Sequence, residues 1–482
     1  MLFNSLEYFL FFGFVFFYRW YIHPFFFAEG QKSRDILHFF LLIASYLFYM
    51  SWDYRFGGLI FLSTIIDYYL AIKISSTENE KKRLWLLRLS LFLNLVAILG
   101  FFKYYNFFAE TVQYFFSGKE ILPKLNIILP VGISFFTFQS MSYTIDVYRR
   151  QIDCEKSFVR FALFVSFFPQ LVAGPIVTAK TFIHQLYKDV QLEEIPFKLA
   201  IRFFFLGYFK KVILSDNISP IVDLVYDNPA NFGSASIFFA AVLFLAQIYC
   251  DFSGYSDMAY GSALLLGYEL PENFRMSLIR QSFSDFWRYW HMTLSGWLRD
   301  YVYFSLGGSK TGYIRHKFNL FFTMLLAGIW HGANWTYVVW GICLGCILII
   351  ETLYKDLIKK YFPNKEETSS NIFITLASIF LTNMLVTLTT VIFRSKSLSH
   401  AYSIFYNMFS FTDKEFIPWT LKVGLTSLII LYLGQWIGYQ IFEKNKTFRV
   451  PIALEFSLYI PLVLVISYLT NDNNVPFIYF QF

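Results

Sequence analysis

Stretches of about 20 apolar residues, each long enough to cross the hydrocarbon layer of a bilayer as a helix, recur along the whole chain. They centre on Phe12, Leu42, Ser63, Leu93, Val165, Phe204, Leu243, Val338, Ser378, Ile430 and Leu462. In lipid every backbone amide and carbonyl must find its partner inside the protein, so segments of this length fold as helices. Only 15% of the 482 residues are charged, against about a quarter in an ordinary soluble domain. Phe at 62 positions and Tyr at 34 supply rings for helix packing and for the headgroup interface. These features predict an all-α integral membrane protein of many spans. The apolar stretch at the N-terminus has no basic leader and no small-residue cleavage site, and is read as a retained first span.

The basic residues give an orientation. With the N-terminus outside, the first inside segments hold Arg19, Lys32 and Arg34, then Lys73, Lys81, Lys82, Arg83 and Arg88, then Arg149, Arg150, Lys156 and Arg160. The outside segments hold Arg55, Lys103, Lys119 and Lys124. Twelve against four fits the excess of Lys and Arg on the cytoplasmic side. The chain reads as one membrane domain, 1–482, with a core at about 129–341 and ordinary spans at 1–110 and 371–470. The longest polar linker is 364–371. No internal repeat, phosphate loop or nucleic-acid module is visible, so no nucleic acid is expected as a partner. Cys343 and Cys346 lie inside an apolar run, where small apolar side chains that let helices approach are the simpler reading than a redox pair.

Three runs at 130–143, 253–270 and 285–303 are too short or too polar for lipid-facing spans. A helix that breaks at membrane depth must be buried in protein or line a cavity. At 328–335 the run GIWHGANW places His331 between apolar flanks, with Gly328 and Gly332 allowing close approach and Asn334 nearby. At 284–301 the run SDFWRYWHMTLSGWLRDY, drawn as one helix, puts Ser284, Arg288, Ser295 and Arg299 on a polar stripe with His291 on its flank. An interfacial amphipathic helix is the competing reading of that segment. At 247–257 the run QIYCDFSGYSD brings Gln247 and Asp251 onto one face, with Ser253, Ser256 and Asp257 following. No histidine is near enough to make it a standard metal site, and these carboxylates are expected to orient or pair the arginines of the second run. Gln139, within 129–143, and the Pro169–Pro175 break read as cavity-lining segments.

Together these five segments resemble the membrane-bound O-acyltransferase superfamily, and within it the branch that acetylates alginate and other cell-envelope polymers. The stretches that carry the likeness are 132–149, 167–175, 247–261, 286–308 and 328–341, with a weaker likeness at Phe393-Arg394 and 477–482. The pairing of the two Trp-His sites is highly specific. Relatives often carry a second arginine where Tyr289 stands, and Pro-Tyr where Met276-Ser277 stands. The resemblance implies a helical bundle with re-entrant and amphipathic helices around a central cavity, in the bacterial cytoplasmic (inner) membrane. It implies transfer of an acetyl group from a cytoplasmic thioester, acetyl-CoA or another acyl thioester as co-substrate, with no bound cofactor or metal. The acceptor would be an extracytoplasmic polysaccharide, reached with a periplasmic or secreted acetyltransferase partner.

In this scheme His331 is the base, or carries the acyl group itself, and His291 orients or protonates. Asn334 binds the acyl carbonyl or fixes the imidazole, Asp251, Asp257 and Ser295 support the site, and Arg288 and Arg299 contact the donor. Two alternatives stay open. One is transfer of D-alanyl or another acyl group to teichoic acid or an envelope polymer from a carrier protein. The other is a transporter or flippase, since broken spans with buried charge also build substrate paths.

Overall fold

The computed structural model describes residues 1–116, 121–362, 371–411, 418–443 and 477–478, and all regular structure among them is helical. Among the described residues seven helices are long and apolar enough to cross a membrane: Leu6–Phe26, Tyr54–Ser76, Glu80–Phe115, Ser234–Leu265, Trp335–Tyr361, Ile372–Arg394 and Leu421–Phe442. They contain seven of the expected span centres. Leu42 lies in the Gln31–Met50 helix, whose first turns carry Lys32, Arg34 and Asp35. Phe204 lies in a helical run from Phe197 to Asp227 that contains Lys210, Lys211 and Asp216. Val165 is a correction: its helix, Phe158–Ser166, is only nine residues long and stops at Phe167. The centre at Leu462 and most of the linker at 364–371 lie outside the described residues.

The chain forms two compact units, Met1–Leu206 with Tyr255–Glu272, and Gly207–Gly254 with Asn273–Phe482. In the first, Asp67 of the Tyr54–Ser76 helix is fully buried. Its carboxylate accepts from Ser90 Oγ at 2.7 Å and from Asn94 Nδ2 at 3.0 Å, both on the neighbouring Glu80–Phe115 helix. Ser90 continues to Thr144 Oγ1 at 3.2 Å on the Ile133–Tyr148 helix. Three helices are thus tied by side chains that have no water to turn to.

The break at Phe167 is also satisfied from within the first unit. The Phe164 carbonyl accepts from Gln139 and from Gln170, and the Phe168 amide donates to Ser45 Oγ at 3.2 Å. Gln139 and Gln170 therefore satisfy the broken backbone, and residues 167–175 are buried. Arg19, tallied above as a cytoplasmic charge, is buried and donates Nε–H to Leu266 O at 2.8 Å, at the end of the Ser234–Leu265 helix. Arg83 donates in the same way to Ile74 O and Tyr148 O. These arginines mark helix ends by capping their carbonyls.

In the second unit, the Tyr313–His331 and Trp335–Tyr361 helices form an antiparallel hairpin. A Cβ on Gly328 would stand 2.4 Å from Tyr337 O and 2.7 Å from Gly341 Cα, so only glycine permits this approach. The Gly328 and Gly332 flanks serve backbone and ring packing: a Cβ on Gly332 would meet the Tyr337 ring. Cys343 and Cys346 are free thiols one turn apart on the same helix, Cys346 exposed. Replacing Asp67 by Ala should cost about 1–3 kcal/mol by removing the buried acceptor shared by the Ser90 hydroxyl and the Asn94 amide. That loss is read as a lower melting temperature of the purified protein, with Asn at 67 milder than Ala; an unchanged melting temperature would refute the network's role.

Candidate active site

The segment around His291 is not one helix. Helix Phe283–Tyr289 ends, Trp290 is extended, and His291 takes a left-handed backbone with φ 44° before the helix resumes at Met292–Leu298. A non-glycine residue there is uncommon and needs outside support. Asn273 supplies it. Its backbone carbonyl accepts from Met292 N at 2.8 Å, and its Oδ1 accepts from His291 Nδ1 at 2.9 Å and from Thr293 Oγ1 at 2.8 Å. Ser295 Oγ donates to the Trp287 carbonyl at 3.1 Å, one of those left open by the break. The expected continuous stripe of Ser284, Arg288, Ser295 and Arg299 is therefore corrected: the break at Trp290–His291 interrupts the helix on which it was drawn. No sequence signal pointed to Asn273, which lies 18 positions before its imidazole partner.

His291 is buried with its ring 4.6 Å from Phe252 and 6.0 Å from Trp330. It lies outside the seven long apolar helices, and burial holds its imidazole well below its ordinary range, so the ring is uncharged at neutral pH. A proton on Nδ1, donated to Asn273, leaves Nε2 as an acceptor. His331 is the last residue of its helix, also buried, with its ring 4.9 Å from Trp330, 5.1 Å from Trp340 and 5.3 Å from Phe393. Trp330 is thus the ring next to both histidines. His331 lines a small cavity of about 20 Å³ together with Trp287, Trp290, Trp340, Phe393 and Thr390. That is room for about one water-sized group, among aromatic rings with Leu245, Ile248, Val386 and Thr390 completing the lining.

The remaining residues take separate places. Asn334 caps the Trp335–Tyr361 helix: its Oδ1 accepts from Thr336 N at 3.0 Å and its Nδ2 donates to Lys396 O at 3.1 Å. Asp251 is buried against Lys211 Nζ at 2.7 Å, and the same ammonium is 2.7 Å from Asp216 Oδ1. Asp251 Oδ2 also accepts from Ile478 N at 2.8 Å. Its cation is therefore Lys211, not the arginines expected from the sequence; Arg288 pairs with Asp285 and Arg299 with Asp300, and both guanidinium groups are largely exposed. One buried cation shared by two carboxylates holds the Phe197–Asp227 run to the Ser234–Leu265 helix, and Lys211 went unnoticed because its partners lie 5 and 40 positions away. Asp257 lies on the Ser234–Leu265 helix in the first unit. Among the described residues no three His, Cys, Asp or Glu side chains converge on a metal-binding geometry.

Residues 149–393, which hold both histidines, the Lys211 cluster and the whole cavity, match the membrane-bound O-acyltransferase family. A probable alginate O-acetylase of Pseudomonas putida is 35% identical over 95% of this chain and 96% of its own length. The chain belongs to the membrane-bound O-acyltransferase family. It is an O-acyltransferase and a multi-pass membrane protein, so the transporter reading falls away. A peptidoglycan O-acetyltransferase of Helicobacter pylori is 34% identical over 76% of this chain and 73% of that protein. A teichoic acid D-alanyltransferase of Bacillus subtilis is 27% identical over 58% of this chain and 72% of its own.

Replacing Asn273 by Ala in this acyltransferase should release the 291–293 turn and strand the buried imidazole. Acyl transfer is expected to fall at least tenfold while the melting temperature drops by a few degrees only, and Asp at 273 should restore part of the rate by again accepting from Nδ1. Wild-type turnover in the Ala variant would show that His291 needs no such support.

Proposed function

We propose that this protein moves an acetyl group from a cytoplasmic thioester, acetyl-CoA, to a hydroxyl of an extracytoplasmic polysaccharide, an alginate-like exopolysaccharide or another envelope glycan. Its site is the cytoplasmic (inner) membrane of a bacterium, and a periplasmic or secreted acetyltransferase is its partner. One observation carries the reading: the His331 ring lines a small, buried, aromatic cavity. Imidazole in a water-poor site is a competent base for a hydroxyl, and exclusion of water protects a thioester from hydrolysis. The working core is 129–341 together with Phe393, which packs on His331.

In this scheme His331 takes the proton of the acceptor hydroxyl as its oxygen attacks the thioester carbonyl carbon. The C–S bond then breaks and the thiolate leaves with the proton that His331 returns. His291, through Trp330, positions this centre. Asn334 fixes the helix that follows His331, Ser295 fixes the turn at His291, and Asp251 anchors its helix through Lys211. Asp257 is assigned a supporting role on the same helix as Asp251. Arg288 and Arg299, exposed on either side of the His291 turn, are assigned to the donor's phosphates.

Acetyl is favoured over D-alanyl by the cavity itself. Among the described residues its lining holds no carboxylate to pair with the ammonium of a D-alanyl group. The names of the Pseudomonas and Helicobacter relatives support acetyl; the Bacillus relative supports the D-alanyl reading.

The test is to supply purified protein with acetyl-labelled acetyl-CoA and follow the label into glycan or partner protein. His331→Ala should abolish transfer, a loss of at least about 10²-fold; retained transfer removes His331 from the chemistry. Arg288→Ala and Arg299→Ala should raise the donor's KM severalfold with kcat little changed, and unaltered donor dependence would overturn their assignment.

A further inference from the structure

Two indole N–H groups of the residues that line the cavity with His331 have no acceptor among the described residues. Trp340 is 3% exposed, Trp287 lines the same cavity, and Nε1 of each is buried without a hydrogen bond among the described residues. The Trp340 ring lies 5.1 Å from the His331 imidazole and 5.7 Å from the Trp287 ring. The cavity offers them little to bind: its lining is apolar or aromatic apart from His331 and Thr390, whose hydroxyl donates to Thr387 O at 2.8 Å. Indole is a donor only, and a donor buried without an acceptor is costly wherever it occurs. Phe would fill much of the same space without that cost. Two such donors in one small cavity, next to one imidazole, leave room for a ligand oxygen that accepts from both.

We propose that the Nε1–H groups of Trp340 and Trp287 form the oxyanion pocket of this acyltransferase. This rests on the reading of His331 given above. As the acceptor oxygen forms its bond to the thioester carbonyl carbon, the carbonyl π pair moves onto oxygen. The two indole N–H groups donate to that oxygen. When the pair returns, the C–S bond breaks and the sulfur carries away the bonding electrons, taking the proton held by His331. Donors fixed in a dry aromatic wall need no reorganisation as the charge develops, which is why they lower the barrier. The pocket also explains the unusual density of tryptophan here, since aliphatic side chains would enclose the same volume without a donor.

The test replaces Trp340, and separately Trp287, with β-(3-benzothienyl)alanine, which keeps the fused ring and substitutes sulfur for N–H. The fold is therefore retained, as an unchanged melting temperature checks. With acetyl-CoA labelled with ¹³C at the carbonyl, the infrared C=O stretch of the bound donor should lie below its free value in the wild type and move back toward it in each variant. Turnover of the label should fall on the order of 10²-fold per donor removed, with the donor's KM little changed. An unshifted carbonyl band and wild-type turnover in both variants would overturn the proposal, and would mean that each N–H faces a neighbouring ring, as the 72° angle between Trp287 and Trp340 permits. The two readings fail separately. Transfer that survives His331→Ala sinks the active-site assignment as a whole, whereas loss in His331→Ala with unaffected indole isosteres sinks only the oxyanion pocket.

Discussion

A chain that works inside hydrocarbon has no water to satisfy a broken helix, so each irregular turn must bring its own hydrogen-bond partners. Each break described here does. The Phe164 carbonyl is met by two glutamines and the Phe168 amide by Ser45. The turn at His291 is held by Asn273 and Ser295. Before the hairpin that leads to His331, Asn319 Nδ2 donates to Leu306 O and Gly308 O. Much of the buried amide and hydroxyl chemistry is spent on the protein's own backbone, and that expenditure is what allows non-helical segments to exist at the site.

With the backbone satisfied, side chains are free to shape a reactive space. Gly328 and Gly341 bring two helices so close that His331 ends its helix against Trp340, and Phe393 of the Ile372–Arg394 helix closes on the same ring. The left-handed turn at His291 directs its ring toward Phe252 and Trp330 rather than outward along a helix face. The Lys211 cluster is buried charge, but among the described residues no lysine, arginine or carboxylate lines the cavity. The result is a cavity lined by one imidazole and several indoles with no carboxylate, an environment suited to an uncharged group.

Much of this was visible along the chain. Seven spans showed as apolar runs of the right length; His331 stood out as an imidazole between apolar flanks, and His291 as one beside a polar stripe. The expectation for 284–301 failed because a 100° periodicity assumes an unbroken helix, and nothing at Trp290 or His291 announces a left-handed residue. Val165 failed as a span because an apolar run can equally be a short buried helix followed by a proline-containing break. The arginine partners assigned to Asp251 failed because ion pairing depends on distance in space, and Lys211 sits on a different helix.

The sequence by itself determined that the chain lies in a membrane, that its regular structure is helical, and that it resembles the membrane-bound O-acyltransferases, with two Trp-His sites as candidates for its chemistry. These follow from composition, run length and short motifs, which are local properties. Tertiary structure alone decided that Asn273 holds His291, that Lys211 rather than an arginine neutralises Asp251, and that Trp287, Trp340 and Phe393 enclose His331. Those contacts join residues from 18 to more than 60 positions apart, as with His331 and Phe393. They arise only when helices pack closely enough for a buried donor to find its acceptor or a ring to find its wall.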